Sequence, residues 1–187
     1  MTYLGSKRLA LQCRPTDPKR AFAGLQDLIH VDIDDLHLTI LHIGKSLELY
    51  NEVNSATGLD LRSFEDSLVG FLLSCTSGEI GERFHCELSD VSELSSGEQS
   101  YLVAGVIPSP ELRGAREKCR RGFLHLLSDF GIVDPEGFME ESDTIAQHSS
   151  SWLPHITLAS GREYSSVSVV GSIGRMIEVR RVLRRFP

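Results

Sequence analysis

Two short stretches of this chain each carry a histidine and a threonine two residues apart. They are His37-Leu38-Thr39-Ile40 in DDLHLTILHIG and His155-Ile156-Thr157-Leu158 in SSWLPHITLASG. In an extended strand, residues i and i+2 share a face. Each stretch therefore presents one imidazole beside one hydroxyl, and its aliphatic residues turn to the other side, where they can anchor the strand. Two such strands brought together make a pocket with two His and two Thr. Imidazole titrates near neutrality, so it can take a proton or give one. Hydroxyls can donate to oxygens on which negative charge builds. Together these groups form an acid–base set for phosphoryl chemistry that needs no metal.

The elements around them must bring the two stretches together. Residues 8–15 are predicted as a first strand, ended by Pro15. Asp17-Pro18 predicts a helix start, Asp as N-cap and Pro in the first turn, with Phe22, Leu25, Leu28 and Ile29 following at helical spacing. Residues 36–43 form the first motif strand, closed by Gly44, and 45–58 are predicted as an Asn-, Ser- and Gly-rich loop. Leu61, Phe64, Leu68, Phe71 and Leu72 mark a helix over 61–75. Two strands are predicted over 82–94 and 100–108. A long helix opens at Ser109-Pro110 and runs to about Phe130, with Gly131 as its stop. Polar residues 134–151 are predicted as a mobile loop, and strands follow over 155–160 and 175–186. Each motif strand thus follows a strand–helix segment, which predicts an α+β fold of two related halves facing one cleft.

Composition narrows the function. The 187 residues suffice for one domain of ordinary size, and 1–187 is predicted as a single two-lobed unit without a linker. Hydrophobic content of 41% and charged content of 24% fit a globular protein. No apolar run approaches the roughly 20 residues that span a bilayer, so no membrane partner is expected. The N-terminal stretch lacks a signal-peptide layout. The scattered Cys13, Cys75, Cys86 and Cys119 predict free, mostly buried thiols and a cytoplasmic location. A net charge of −7 argues against coating long nucleic acid through broad phosphate contacts, but allows a nucleotide or an RNA end in a local pocket.

On these residues the chain resembles the 2H phosphoesterase superfamily, which includes LigT-like 2′-5′ RNA ligases and cyclic nucleotide phosphodiesterases. LHLTILHIG is similar to the family's first H-x-[TS]-x motif, including the trailing Gly44, and LPHITLAS to the second, including Pro154. The resemblance implies a bilobal LigT-like fold around a central cleft, with His37 and His155 as the acid–base pair and Thr39 and Thr157 binding the phosphate. Bacterial LigT-like members often carry an Arg just after the second motif. Here that position is Ser160, with Arg162 two residues later, so the cation facing the phosphate stays open.

The implied reaction opens or forms a phosphodiester next to a hydroxyl, such as a 2′,3′-cyclic phosphate or a 2′-5′ linkage. One His is base and the other acid, in an order the sequence leaves open. No metal or other cofactor is expected, and the protein is expected to act as a monomer. A nucleotide-sequestering protein that has lost turnover, and an interaction domain with accidental motifs, are the alternatives. His30, His42, His85, His125 and His148 lack metal-ligand spacing and are predicted to be packed or solvent-bonded, with His42, five residues from His37, on the opposite strand face. The Arg180, Arg181, Arg184, Arg185 run is predicted as a solvated strand edge, and Trp152 and Tyr164 as core aromatics rather than base-stacking platforms.

Overall fold

A computed structural model describes residues 8–77, 83–96, 99–145, 152–160 and 173–185. The described residues hold six antiparallel strands: β1 (Arg8–Pro15), β2 (Leu38–Lys45), β3 (Arg83–Ser96), β4 (Gln99–Pro108), β5 (His155–Ser160) and β6 (Arg175–Arg185). They close a ring in the order β1-β2-β5-β4-β3-β6. The ring reads as two triplets, β6-β1-β2 and β3-β4-β5. The triplets meet at two seams, where β6 pairs continuously with β3 from Arg83↔Arg180 to Leu88↔Arg175, and where β2 meets β5 at one registered pair. Each triplet holds a strand–helix–strand unit, so the expected α+β architecture of two halves is met.

Helices α1 (Pro18–Ala21), α2 (Ser46–Thr57), α3 (Leu61–Ser77), α4 (Pro110–Asp129) and α5 (Pro135–Glu141) complete the fold. A single hydrophobic cluster joins Leu9, Leu11 and Cys13 of β1, Phe84, Cys86 and Leu88 of β3, and Ile177 and Val179 of β6 to Phe64 and Leu68 of α3 and Phe123 and Leu127 of α4. Rings knit these helices together, with Phe71 and Phe123 centroids 5.6 Å apart. Cys13, Cys75, Cys86 and Cys119 are all buried thiols outside any disulfide, as expected.

Helix α4 begins as predicted, with the Leu112 N–H donating to Ser109 Oγ at 3.3 Å. Other stretches differ. Residues 46–57 are helical rather than loop, because Leu49 and Val53, one turn apart, are both fully buried. The helix predicted from Pro18 ends after one turn. Asp17 caps it, accepting from the Arg20 N–H at 3.0 Å, but Gly24 turns the chain at φ +82°. Phe22 and Leu25 are buried all the same, through a turn and a short 3-10 helix at Gln26–Leu28. Part of the predicted 134–151 loop is α5, capped by Asp134, which accepts from the Gly137 N–H at 3.0 Å. The arginine-bearing β6 is not an edge strand, since it is paired with β1 on one side and β3 on the other.

Candidate active site

The pair that joins β2 to β5 is Leu38↔Ile156, the central residue of each H-x-T. Both side chains are fully buried, while His37, Thr39, His155 and Thr157 are half-buried. The alternation expected from the sequence therefore holds in both strands. The antiparallel sense sets His37 across from Thr157 and Thr39 across from His155. The structure thus brings all four candidates to one seam.

Both imidazoles are tethered in the same way. His37 Nδ1–H donates to the Asp35 carbonyl at 2.7 Å, and His155 Nδ1–H donates to the Leu153 carbonyl at 2.8 Å. Each acceptor lies two residues before its His. A carbonyl oxygen only accepts, so the proton of each neutral ring sits on Nδ1 and the lone pair on Nε2. The Asp35 carbonyl belongs to a 3-10 turn, Ile33–Asp35, which is capped by Asp32 accepting from the Asp34 N–H at 3.0 Å. The Val106 N–H donates to the Pro154 carbonyl at 2.9 Å and holds the chain entering β5.

The seam has further ties. Trp152 Nε1–H donates to the Thr39 carbonyl at 3.1 Å, and the Arg116 guanidinium sits 5.0 Å from the Trp152 ring centroid. Trp152 packs against the core, so its core reading is the right one. The His30 N–H donates to the Leu158 carbonyl at 2.9 Å, tying the segment before the first motif to the second motif strand. Gly44 has φ +89°, and a Cβ there would lie 2.1 Å from the Thr144 carbonyl oxygen. The bare glycine after the first motif lets the chain leading toward the second dock against β2.

No family model matches the sequence, and no curated protein matches it. Among solved structures it is similar to TT0787 of Thermus thermophilus, with TM-score 0.60 and 16% identity over 96% of this chain and 95% of that one. It is also similar to a protein described as a phosphoesterase, with TM-score 0.51 and 15% identity over 96% and 97% of the two chains. E. coli LigT complexed with phosphate matches with TM-score 0.47 and 15% identity over 96% of each chain. At such identities the first two likenesses speak of fold. The chain shares the fold of TT0787 and of that phosphoesterase.

Within this fold, register brings to the motifs several residues that motif reading missed. Pairing of β1 with β2 sets Gln12 across from Thr39 and, one step past Cys13↔Leu38, Arg14 across from His37. Gln12 is 1% exposed, and its Oε1 has no hydrogen-bond partner among the described residues. An unpaired buried amide is costly, typically about 1–3 kcal/mol. Arg14 Nη2 lies 3.4 Å from Asp35 Oδ1, so a guanidinium borders the first motif. Alternation in RLALQCRP, read as a plain strand, carried the parity that puts Gln12 and Arg14 on one face, but gave no hint of which strand they would meet.

On the other side, Gly105 of β4 is registered with His155. A Cβ on Gly105 would lie 2.5 Å from Ser89 Oγ and 2.6 Å from Asp90 Oδ1. The Ser89 hydroxyl donates to Asp90 Oδ1 at 2.6 Å, so this pair covers β4 beside His155.

His42 corrects the expectation of opposite faces. Ala10 is registered with His42 and Gln12 with Thr39, the register shift falling at Ile40. Ala10 and Gln12 share a face of β1, so the irregularity turns His42 onto the face of Thr39. Burial, with the Arg8 guanidinium second, pushes the His42 ring down from its ordinary 6.5 to about 4. A ring so depressed stays neutral near pH 7. His30, His85 and His125 are exposed, and His148, Arg162 and Tyr164 lie outside the described residues. Among the described residues, no three His, Cys, Asp or Glu side chains cluster as a metal site would require, and no helix is long and apolar enough to cross a membrane.

Proposed function

We propose that this protein is a phosphoesterase acting on RNA or nucleotide phosphodiesters, such as a 2′,3′-cyclic phosphate or a 2′-5′ linkage, by two-histidine acid–base catalysis. The observation that carries the reading is the Leu38↔Ile156 pair, with matching Nδ1 tethers on the two flanking histidines. The name of one fold neighbour, a phosphoesterase, points the same way.

In the hydrolytic direction one neutral His accepts the water proton at Nε2 as the new P–O bond forms. The other His, protonated, gives its Nε2 proton to the ribose oxygen as the old P–O bond breaks. Thr39 and Thr157 hydroxyls donate to the non-bridging oxygens, where charge builds in the transition state. Arg14, beside the first motif, supplies the cation that motif reading left unassigned. Side chains cover both proton transfers and the phosphate charge, so turnover should persist in excess EDTA. With a 5′-hydroxyl in place of water, the same site turns a 2′,3′-cyclic phosphate into a 2′-5′ linkage: the P–O5′ bond forms as the P–O3′ bond breaks, the base takes the 5′-hydroxyl proton and the acid protonates O3′.

The test is a screen over 2′,3′-cyclic mononucleotides, 2′-5′ oligonucleotides and cyclic di- and trinucleotides, with monophosphate or linear product measured. Turnover of any of them supports the proposal. Tight binding without turnover would instead make this a sequestering protein, and neither result would leave the motifs without chemistry.

A further inference from the structure

The arginines of β6 have no edge to protect, because both sides of the strand are paired. Adjacent ones also do different things. Arg181 turns to the helices, where its Nη1–H donates to the Cys75 carbonyl at 2.9 Å and its guanidinium lies 5.6 Å from the Phe84 ring centroid. Arg180 points to the opposite face. There it is registered with Arg14 of β1 on one side and with Arg83 of β3 on the other. His37 stands one strand further along the same row, across from Arg14. The row therefore runs His37, Arg14, Arg180, Arg83 over four neighbouring strand paths.

Like charges directly opposite one another destabilise a sheet. Two of these arginines have acidic neighbours. Arg14 meets Asp35 at 3.4 Å, and Arg83 meets Glu178 at 3.2 Å, with His85 Nε2 4.0 Å from the same Glu178. Arg180 is exposed and has no acidic partner within ion-pair distance among the described residues. The same face continues into apolar surface. Met176 and Ile107, both registered with Glu87, are 62% and 49% exposed. Strands are about 4.8 Å apart, so the backbones of Arg14 and Arg83 lie roughly 10 Å from one another. One phosphate held between the two histidines needs Arg14 at most. It leaves Arg180 and Arg83 unused.

We infer that Arg180 and Arg83 are substrate-specificity residues, and that further phosphates on the 5′ side of the reacting one run along Arg14, Arg180 and Arg83. The reacting group sits at the His37–His155 seam, and the exposed Met176 and Ile107 give the bases an apolar surface to lie on. This rests on the phosphodiesterase reading of the seam and adds the length and direction of the substrate.

The test compares kcat/KM for a 2′,3′-cyclic mononucleotide and for a trinucleotide ending in the same cyclic nucleotide. The wild type should favour the trinucleotide by about 10-fold at low salt, and the preference should shrink as salt rises. Arg180→Ala should cut that ratio most of the way to one, and Arg83→Ala should cut it less. Arg62→Ala, at an exposed α3 position, removes the same charge and should leave the ratio as it is. Anisotropy with a fluorescein-labelled trinucleotide 3′-phosphate gives a readout independent of turnover, and Arg180→Ala should weaken binding several-fold. Mononucleotide turnover with no trinucleotide preference would overturn the row and leave the phosphodiesterase reading standing. Trinucleotide binding that depends on Arg180, without turnover of any substrate, would uphold the row and end that reading. A ratio or binding curve unchanged in Arg180→Ala overturns the row in either case.

Discussion

The two motif strands are alike in what they do with their own residues and unlike in what surrounds them. Each buries the aliphatic residue between His and Thr, and each ties its His Nδ1 to the carbonyl two residues earlier. Their neighbours differ. Beside His37 the adjoining strand brings Gln12 and a guanidinium, Arg14. Beside His155 it brings a bare Gly105, over which lie a hydroxyl and a carboxylate, Ser89 and Asp90. On the proposed function, proton chemistry needs the same atoms on both sides of a phosphodiester, which is a reason for that part to be duplicated. A substrate is not symmetric about its reacting phosphate, so on the same proposal the surroundings have no reason to match, and the basic side is the one inferred to take further phosphates.

The duplicated part breaks with the largest effect. His37→Ala and His155→Ala should each lower kcat by about 10²–10⁴-fold on the best substrate found. Thr39→Ala and Thr157→Ala should cost less, about 10²-fold or below, since water can replace part of a lost hydroxyl donor. One ring must be neutral while the other is charged, so the rate should be bell-shaped in pH, and each His→Ala variant should lose one limb. Either variant, folded by its thermal melt yet as fast as wild type, would end the symmetric mechanism.

The connection between the halves comes next. Gly44→Ala forces a Cβ against the Thr144 backbone oxygen at a positive φ, where neither strand nor segment can yield cheaply. We expect a loss of about 2–4 kcal/mol, read from the denaturation midpoint in urea. A midpoint equal to wild type would mean that the segment before the second motif does not dock on β2.

The unlike surroundings can be sharpened by two substitutions with opposite signatures. Gln12→Leu removes a buried amide oxygen that lacks a partner, so the melting temperature should hold or rise while KM rises by about 10-fold. A fall in stability with no change in KM would make Gln12 a structural residue. Gly105→Ala should instead cost about 1 kcal/mol, as its Cβ pushes the Ser89–Asp90 pair aside.

The smallest effect is that of His42. Its folded-state pKa of about 4 lies below the unfolded 6.5, so the unfolded chain binds the extra proton between those values. Stability should therefore fall as pH drops through 6.5 toward 4, by roughly 1 kcal/mol at pH 5.5. His42→Leu should flatten this slope in pH-dependent urea melts, and an unchanged slope would mean that the ring is not the titrating group.

What the sequence determined by itself was local. Two-residue periodicity put His and Thr on one face of each motif strand. The aliphatic residues between them supplied the buried anchors, and Ser109-Pro110 and Asp17-Pro18 capped helices where they stand, because a cap depends only on nearby backbone donors. Helix α2 was hidden because its buried contacts, Leu49 and Val53, are few within a polar stretch, and tertiary packing outweighs composition there. The face of His42 was hidden because a register shift at Ile40 resets strand parity, and a strand is shifted only against a partner. Only the tertiary structure decided that the motif strands meet at Leu38↔Ile156, that β6 is an interior strand, and that Arg14, Arg180 and Arg83 fall into one row. Each of these depends on cross-strand register between segments far apart in sequence, and no periodicity within a single segment encodes which strand will lie beside it.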